Sequence, residues 1–178
     1  ATGTYGGGVY LYGCFEMNGG TISGNTASNG AGVYVRDNSS SFTMKDGSIS
    51  DNKASGKGGG VYLSRSSSSF TMNGGVIGKE IEEGTEGAKQ SWEYAATDSD
   101  FSNYAYAGGG GIYAVDGTVT IKDAKVSYNY TRNLGNDCLG KTPENTAAGG
   151  GISIVSGSLS LINSEVSYNS GYQGGGIR

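Results

Sequence analysis

A short grammar, written five times over, constrains this chain more than any other feature. Residues 58–77 show it in full: a glycine run, the triplet Val61-Tyr62-Leu63, a serine-rich corner, the triplet Phe70-Thr71-Met72, and a third apolar piece at Ile77. Aligned on the first piece, the copies begin at Val9, Val33, Val61, Ile112 and Ile152, and a sixth opens at Ile177. The second piece begins at Phe15, Phe42, Phe70, Val119 and Leu159. It closes on Met17, Met44, Met72, Ile121 or Leu161, and five residues later comes the third piece, at Ile22, Ile49, Ile77, Val126 or Val166. The copies are 24, 28, 51, 40 and 25 residues apart, a period that belongs to solenoids and related arrays.

Within each piece apolar and small polar residues alternate, as in a strand with one buried face. No helical period appears. Three short strands per turn predict an all-β fold, a three-sided parallel β-helix of about five rungs plus the start of a sixth. The five apolar positions become inward columns, with like side chains stacked about 4.8 Å apart. Leucine-rich repeats need an LxxLxL core that is absent, and propeller blades need a longer, four-stranded period.

Composition narrows the chemistry. At 178 residues the chain reads as one domain, 1–178. Glycine supplies 35 residues; without a period that load would indicate disorder, but here it falls where turns are needed. Histidine is absent, which removes histidine triads, imidazole metal sites and histidine acid–base chemistry. The net charge is −4, with seven acids and two lysines in residues 79–107. No basic stripe exists, so nucleic acid is discounted as a partner. No apolar run is long enough for membrane insertion as a helix. The opening at Ala1, with no leader pattern, fits a processed or excised segment. Cys14 and Cys138 fall in rungs one and four, about 14 Å apart along the axis by strand spacing, too far for a bridge between rung positions. Free thiols, a disulfide through the irregular stretch around Cys138, and an intermolecular bridge all remain open.

Two stretches depart from the grammar. Residues 79–107 and 131–147 read as loop insertions leaving one edge of the coil. The first could instead be a degenerate rung, since 51 is close to twice the period, but no inward pattern survives there. A short helix over residues 86–96 is a further expectation.

Candidate sites follow from the columns and the insertions. Asn25, Asn52, Asn129 and Asn169 lie three residues after the third piece. They predict a structural asparagine ladder that satisfies buried turn backbone. Glu80 takes that offset in the third copy and would break the ladder where the first insertion begins. Tyr10, Tyr34, Tyr62 and Tyr113 form an outward column that ends at Ser153. Such a column either covers the sheet by inter-rung stacking or offers an aromatic strip to a partner. Trp92, Tyr94, Tyr104 and Tyr106 in the first insertion are the other candidate contacts. Glu80, Glu82, Glu83, Glu86, Glu93, Asp98 and Asp100 could hold calcium there, but no EF-hand spacing occurs. A solvated acidic loop is the default, and no cofactor is expected.

The glycine run before a β-branched residue, with Phe15-Glu-Met-Asn18 and Phe70-Thr-Met-Asn73, resembles the GGA[ILV]/FxxN repeats of polymorphic outer-membrane proteins. It is also similar to bacterial right-handed parallel β-helix repeat proteins more broadly. Phe42-Thr-Met-Lys45 departs at its last position, and copies four and five lose the Phe. The resemblance covers the repeats and neither insertion. It implies a right-handed β-helix, an extracellular or cell-surface setting and adhesin-like passengers, and it carries over no active site.

The functional expectation is a non-enzymatic structural or adhesive β-solenoid. The ends carry no amphipathic cap, so the chain is either a piece of a longer β-helix or stacks end to end into a filament. A glycan or a host or cell-surface protein is the other partner considered. The rival is a carbohydrate-binding or carbohydrate-active, lyase-like β-helix that uses the insertion loops.

Overall fold

The computed structural model describes residues 2–80, 102–131, 149–171 and 174–178. Among them there is no helix, only strands and turns. In chain order the strands are β1 (Thr2–Tyr5), β2 (Val9–Leu11), β3 (Cys14–Met17) and β4 (Thr21–Ser23). There follow β5 (Thr26–Asn29), β6 (Val33–Val35), β7 (Ser41–Met44), β8 (Ser48–Ser50), β9 (Lys53–Ala54), β10 (Val61–Leu63), β11 (Ser69–Met72) and β12 (Val76–Gly78). The remainder are β13 (Tyr104–Ala105), β14 (Ile112–Ala114), β15 (Gly117–Lys122), β16 (Lys125–Ser127), β17 (Tyr130–Thr131), β18 (Ile152–Ile154), β19 (Gly157–Ile162) and β20 (Glu165–Ser167).

Successive strands feed four parallel sheets in rotation, each five strands wide. The glycine sheet holds β2, β6, β10, β14 and β18; the phenylalanine sheet holds β3, β7, β11, β15 and β19; the third-piece sheet holds β4, β8, β12, β16 and β20. Their registers pair Val9 with Val33, Phe42 with Phe70, Met72 with Ile121, and Val126 with Val166. Each inward column therefore runs straight down the stack.

The fourth sheet, β1, β5, β9, β13 and β17, is an addition to the three strands per turn expected from the sequence. Its strands are two to four residues long. Its inward side chains are small: Ala27, Ala54 and Ala105 form, with Ala31, a cluster separate from the main core. Neither length nor hydropathy announces such strands.

The main core is the five columns. Phe42, Met44, Ile49, Phe70, Met72, Ile77, Ile112 and Ile121 are completely buried. Burying a side chain of this size contributes about 1.5–3 kcal/mol. The Phe rings also stack, Phe15 on Phe42 at 5.2 Å and Phe42 on Phe70 at 4.9 Å between centroids.

The glycine run is the corner between the short sheet and the glycine sheet. Its first residue lies in the left-handed region, φ 61° at Gly6, 59° at Gly30 and 65° at Gly58, where glycine alone is unstrained. Its last residue has no room for a Cβ. One added to Gly60 would lie 2.6 Å from the Gly111 carbonyl oxygen of the next layer. That closeness lets the Val61 N–H donate to the Gly111 carbonyl at 2.8 Å.

Candidate functional site

Two ladders run along the stack. The first stands at the corner between the third-piece sheet and the short sheet, and is made of Asn25, Asn52, Asn103, Asn129 and Asn169. The Asn25 side-chain amide donates to Asn52 Oδ1 at 2.9 Å, Asn52 to Asn103 at 3.1 Å, Asn103 to Asn129 at 2.9 Å and Asn129 to Asn169 at 2.9 Å. Each of the last four also donates Nδ2 to a carbonyl one layer back: Ile22, Ile49, Ile77 and Val126 in turn. The Asn52 and Asn129 backbone N–H groups donate to the next Oδ1 as well. Asn52, Asn103 and Asn129 thus each tie three layers together, and all three are fully buried.

Asn103 corrects one expectation. Glu80 is exposed and takes no place in the ladder. β12 ends at Gly78, and in its layer Asn103, just before β13, takes the ladder corner. Counting backward from the next glycine run finds it: Asn103 lies six residues before Gly109, as Asn52 lies six before Gly58. Within the stretch read as an insertion, Tyr104–Ala105 therefore forms a strand, and the Tyr106 and Ala107 N–H groups donate to the Ala54 and Gly56 carbonyls of the neighbouring layer.

The second ladder is on the outer face of the glycine sheet. Tyr10, Tyr34, Tyr62 and Tyr113 stack with centroids 5.5, 5.1 and 5.4 Å apart and planes within 13° of parallel. Tyr5, from the short sheet, adds a tilted contact to Tyr34 at 5.1 Å. Exposure falls along the row, from 45 % at Tyr10 to 4 % at Tyr113, and the next position, Ser153, is buried. Cations sit over both end rings, the Arg36 guanidinium 5.8 Å from Tyr10 and the Lys57 ammonium 4.9 Å from Tyr113, an arrangement the ring quadrupole favours. Because the rings face one another, ring edges and phenolic groups line the surface, and the flat faces are already occupied. The Tyr62 phenol is pushed up to about 12, first by burial and then by the neighbouring Tyr34 and Tyr113, with Arg65 opposing.

The remaining candidates are dispersed. Tyr104 is buried in β13 and packs edge-to-face on Tyr106 at 5.2 Å, with Tyr130 tilted against it at 5.6 Å. Tyr106 is 41 % exposed. Trp92, Tyr94, the 86–96 helix, Cys138 and the acids from Glu82 to Asp100 lie outside the described residues. Cys14 is an exposed free thiol in β3. Among the described residues no three acidic, cysteine or histidine side chains converge as metal ligands.

Sequence reasoning also missed Tyr128 and Tyr168. Both hold left-handed backbone, φ 56° and 50°, at the residue before a ladder asparagine, and their rings stack at 5.1 Å. Gly24 and Asp51 occupy the same corner in earlier layers with φ 66° and 57°. Nothing in a tyrosine's identity signals a positive φ.

Comparison with protein-family models, with curated proteins and with solved structures finds no match for this chain.

Proposed function

We propose that the chain is a non-enzymatic, extracellular or cell-surface β-solenoid with a structural and adhesive role, stacking end to end through its terminal layers. In this reading it is a right-handed parallel β-helix of about five rungs, and the short sheet closes one corner of a three-sided section. Its repeats are of the type found in polymorphic outer-membrane proteins.

The observation that carries the reading is the stack itself, four parallel sheets whose side-chain columns direct their chemistry at the next layer. Along the middle of the stack the inward columns are completely buried, whereas Val9, Phe15 and Ile22 at one end and Leu159 and Val166 at the other are only partly covered, and Leu161 is 39 % exposed. Among the described residues β3 and β4, like β19 and β20, have a strand neighbour on one side only. Apposing the last layer of one copy to the first layer of the next buries both apolar sets and pairs both edges, a head-to-tail contact that repeats without closing. The saturated amide ladder and the mutually stacked tyrosines fit a scaffold, since both columns direct their chemistry at the next layer.

Sedimentation velocity across a concentration series, with electron microscopy of the same samples, tests the proposal. The expected result is axial rods that lengthen with concentration. A Leu161→Lys, Val166→Lys double variant should keep the strand signal in circular dichroism and lose the rods. Monodisperse single copies at the highest attainable concentration overturn end-to-end assembly.

A further inference from the structure

The third-piece sheet carries an open cavity of about 710 Å³ on its outer face, within the size range of ligand sites. Asp46, Asp51, Glu80 and Lys79 line it together with Tyr128, and Gly75 and Gly78 keep part of the lining free of side chains. It belongs to neither ladder, and the tyrosine row lies on a different sheet.

The lining selects the ligand. Three carboxylates against one ammonium repel anions. No metal-ligating group of three forms among the described residues. Serines 48 and 50 and the carboxylates make the walls too polar for an apolar molecule. What remains is a ligand without negative charge, rich in hydroxyl donors and with one apolar face. A pyranose has that character: its C–H face packs on an aromatic ring, and its hydroxyls donate to carboxylates. Tyr128 stacks on Tyr168 and also borders the cavity, where the tyrosine row offers edges alone.

We propose that this cavity binds a neutral oligosaccharide, with Tyr128 as its stacking platform and Asp46 and Asp51 as hydroxyl acceptors. This deepens the adhesive part of the proposed function and rests on the non-enzymatic reading; it is independent of end-to-end stacking.

The test titrates the full chain, by calorimetry, with neutral hexasaccharides of gluco, manno, galacto and xylo configuration, and with a heparin hexasaccharide as anionic control. At least one neutral probe should bind saturably with a Kd on the order of 1 mM or tighter. Tyr128→Gly should weaken that binding roughly tenfold. The left-handed backbone at 128 suits glycine, as Gly24 shows in the same corner, so the thermal midpoint should not fall by more than the lost ring stack explains. Asp51→Asn should also weaken binding, and Tyr10→Ser should leave it unchanged. Saturable binding by no neutral probe, tighter binding of heparin, or full binding by Tyr128→Gly overturns the site. Shortening of the bound sugar over time would leave the site standing and overturn the non-enzymatic reading instead.

Discussion

The amide ladder and the tyrosine ladder repeat one side chain down the same stack, yet they hold it in different ways. The asparagines are buried, and their bonds are directional: Asn52, Asn103 and Asn129 each accept from the layer before and donate both to that layer and to the layer after. The tyrosines are held by ring-on-ring contact on a face open to solvent at one end. A buried polar column stabilises only when every member is satisfied, because an orphaned donor in the interior loses its water and gains no partner. A surface aromatic column degrades gradually, since a missing ring exposes a neighbour to water and leaves no polar group unpaired. The first ladder should therefore tolerate no gaps, while the second ends without penalty at Ser153.

Asn103→Ala is the severest test of that contrast. The substitution removes the acceptor of both the Asn52 backbone N–H and its side-chain amide, and the donor to Asn129 Oδ1 and the Ile49 carbonyl. With about 1–3 kcal/mol at stake per buried orphan, the loss should be roughly 3 kcal/mol or more, read from urea or thermal unfolding. A loss below about 1 kcal/mol, the scale of an ordinary exposed substitution, would show that the ladder is ornament and that the carbonyls find other partners.

That Asn103 belongs in the column was hidden from a forward reading of the sequence, and the reason is physical. Three sheets were legible because Phe, Met, Ile and Val alternate with small polar residues at constant offsets, so burial writes a period of two. The short sheet buries Ala27, Ala54 and Ala105 through strands of as few as two residues, and alanine is common on either side of a surface. An insertion between β12 and β13 then displaces the asparagine from its offset without displacing it in space. The cavity wall was illegible for another reason: Tyr128 comes from one layer, Asp46 and Asp51 from another, and only the folded register brings them together.

The tyrosine ladder should respond more mildly. Tyr62 stacks on Tyr34 and on Tyr113, so Tyr62→Ser removes two ring contacts, each worth about 0.5–1.5 kcal/mol beyond buried area. A net loss of about 1–2 kcal/mol is expected, smaller than that of Asn103→Ala. Tyr10→Ser, at the exposed end with one stacked tyrosine partner, should cost less than about 1 kcal/mol. If Tyr62→Ser costs as much as Asn103→Ala, the two ladders do not differ in kind.

Alkali separates the ladders with the smallest effect, because amides do not titrate in this range and phenols do. Tyr62 is raised to about 12 in the folded chain, mainly by burial and next by Tyr34 and Tyr113, against an ordinary value near 10. Between pH 10 and 12 the unfolded chain therefore releases a proton that the folded chain keeps. Stability from this group is complete below about pH 10 and declines as pH rises toward 12. Tyr62 is only partly shielded from solvent, so the slope should stay well under the limit of about 1.4 kcal/mol per pH unit for one proton. Thermal midpoints from pH 8 to 12 should fall for the parent chain and fall less steeply for Tyr62→Phe, which keeps the ring and loses the titrating hydroxyl. Asn103→Ala should run parallel to the parent at a lower level throughout. Identical slopes for Tyr62→Phe and the parent would mean that the phenol at the centre of the row titrates as it does in water, and that the rings on either side do not shield it.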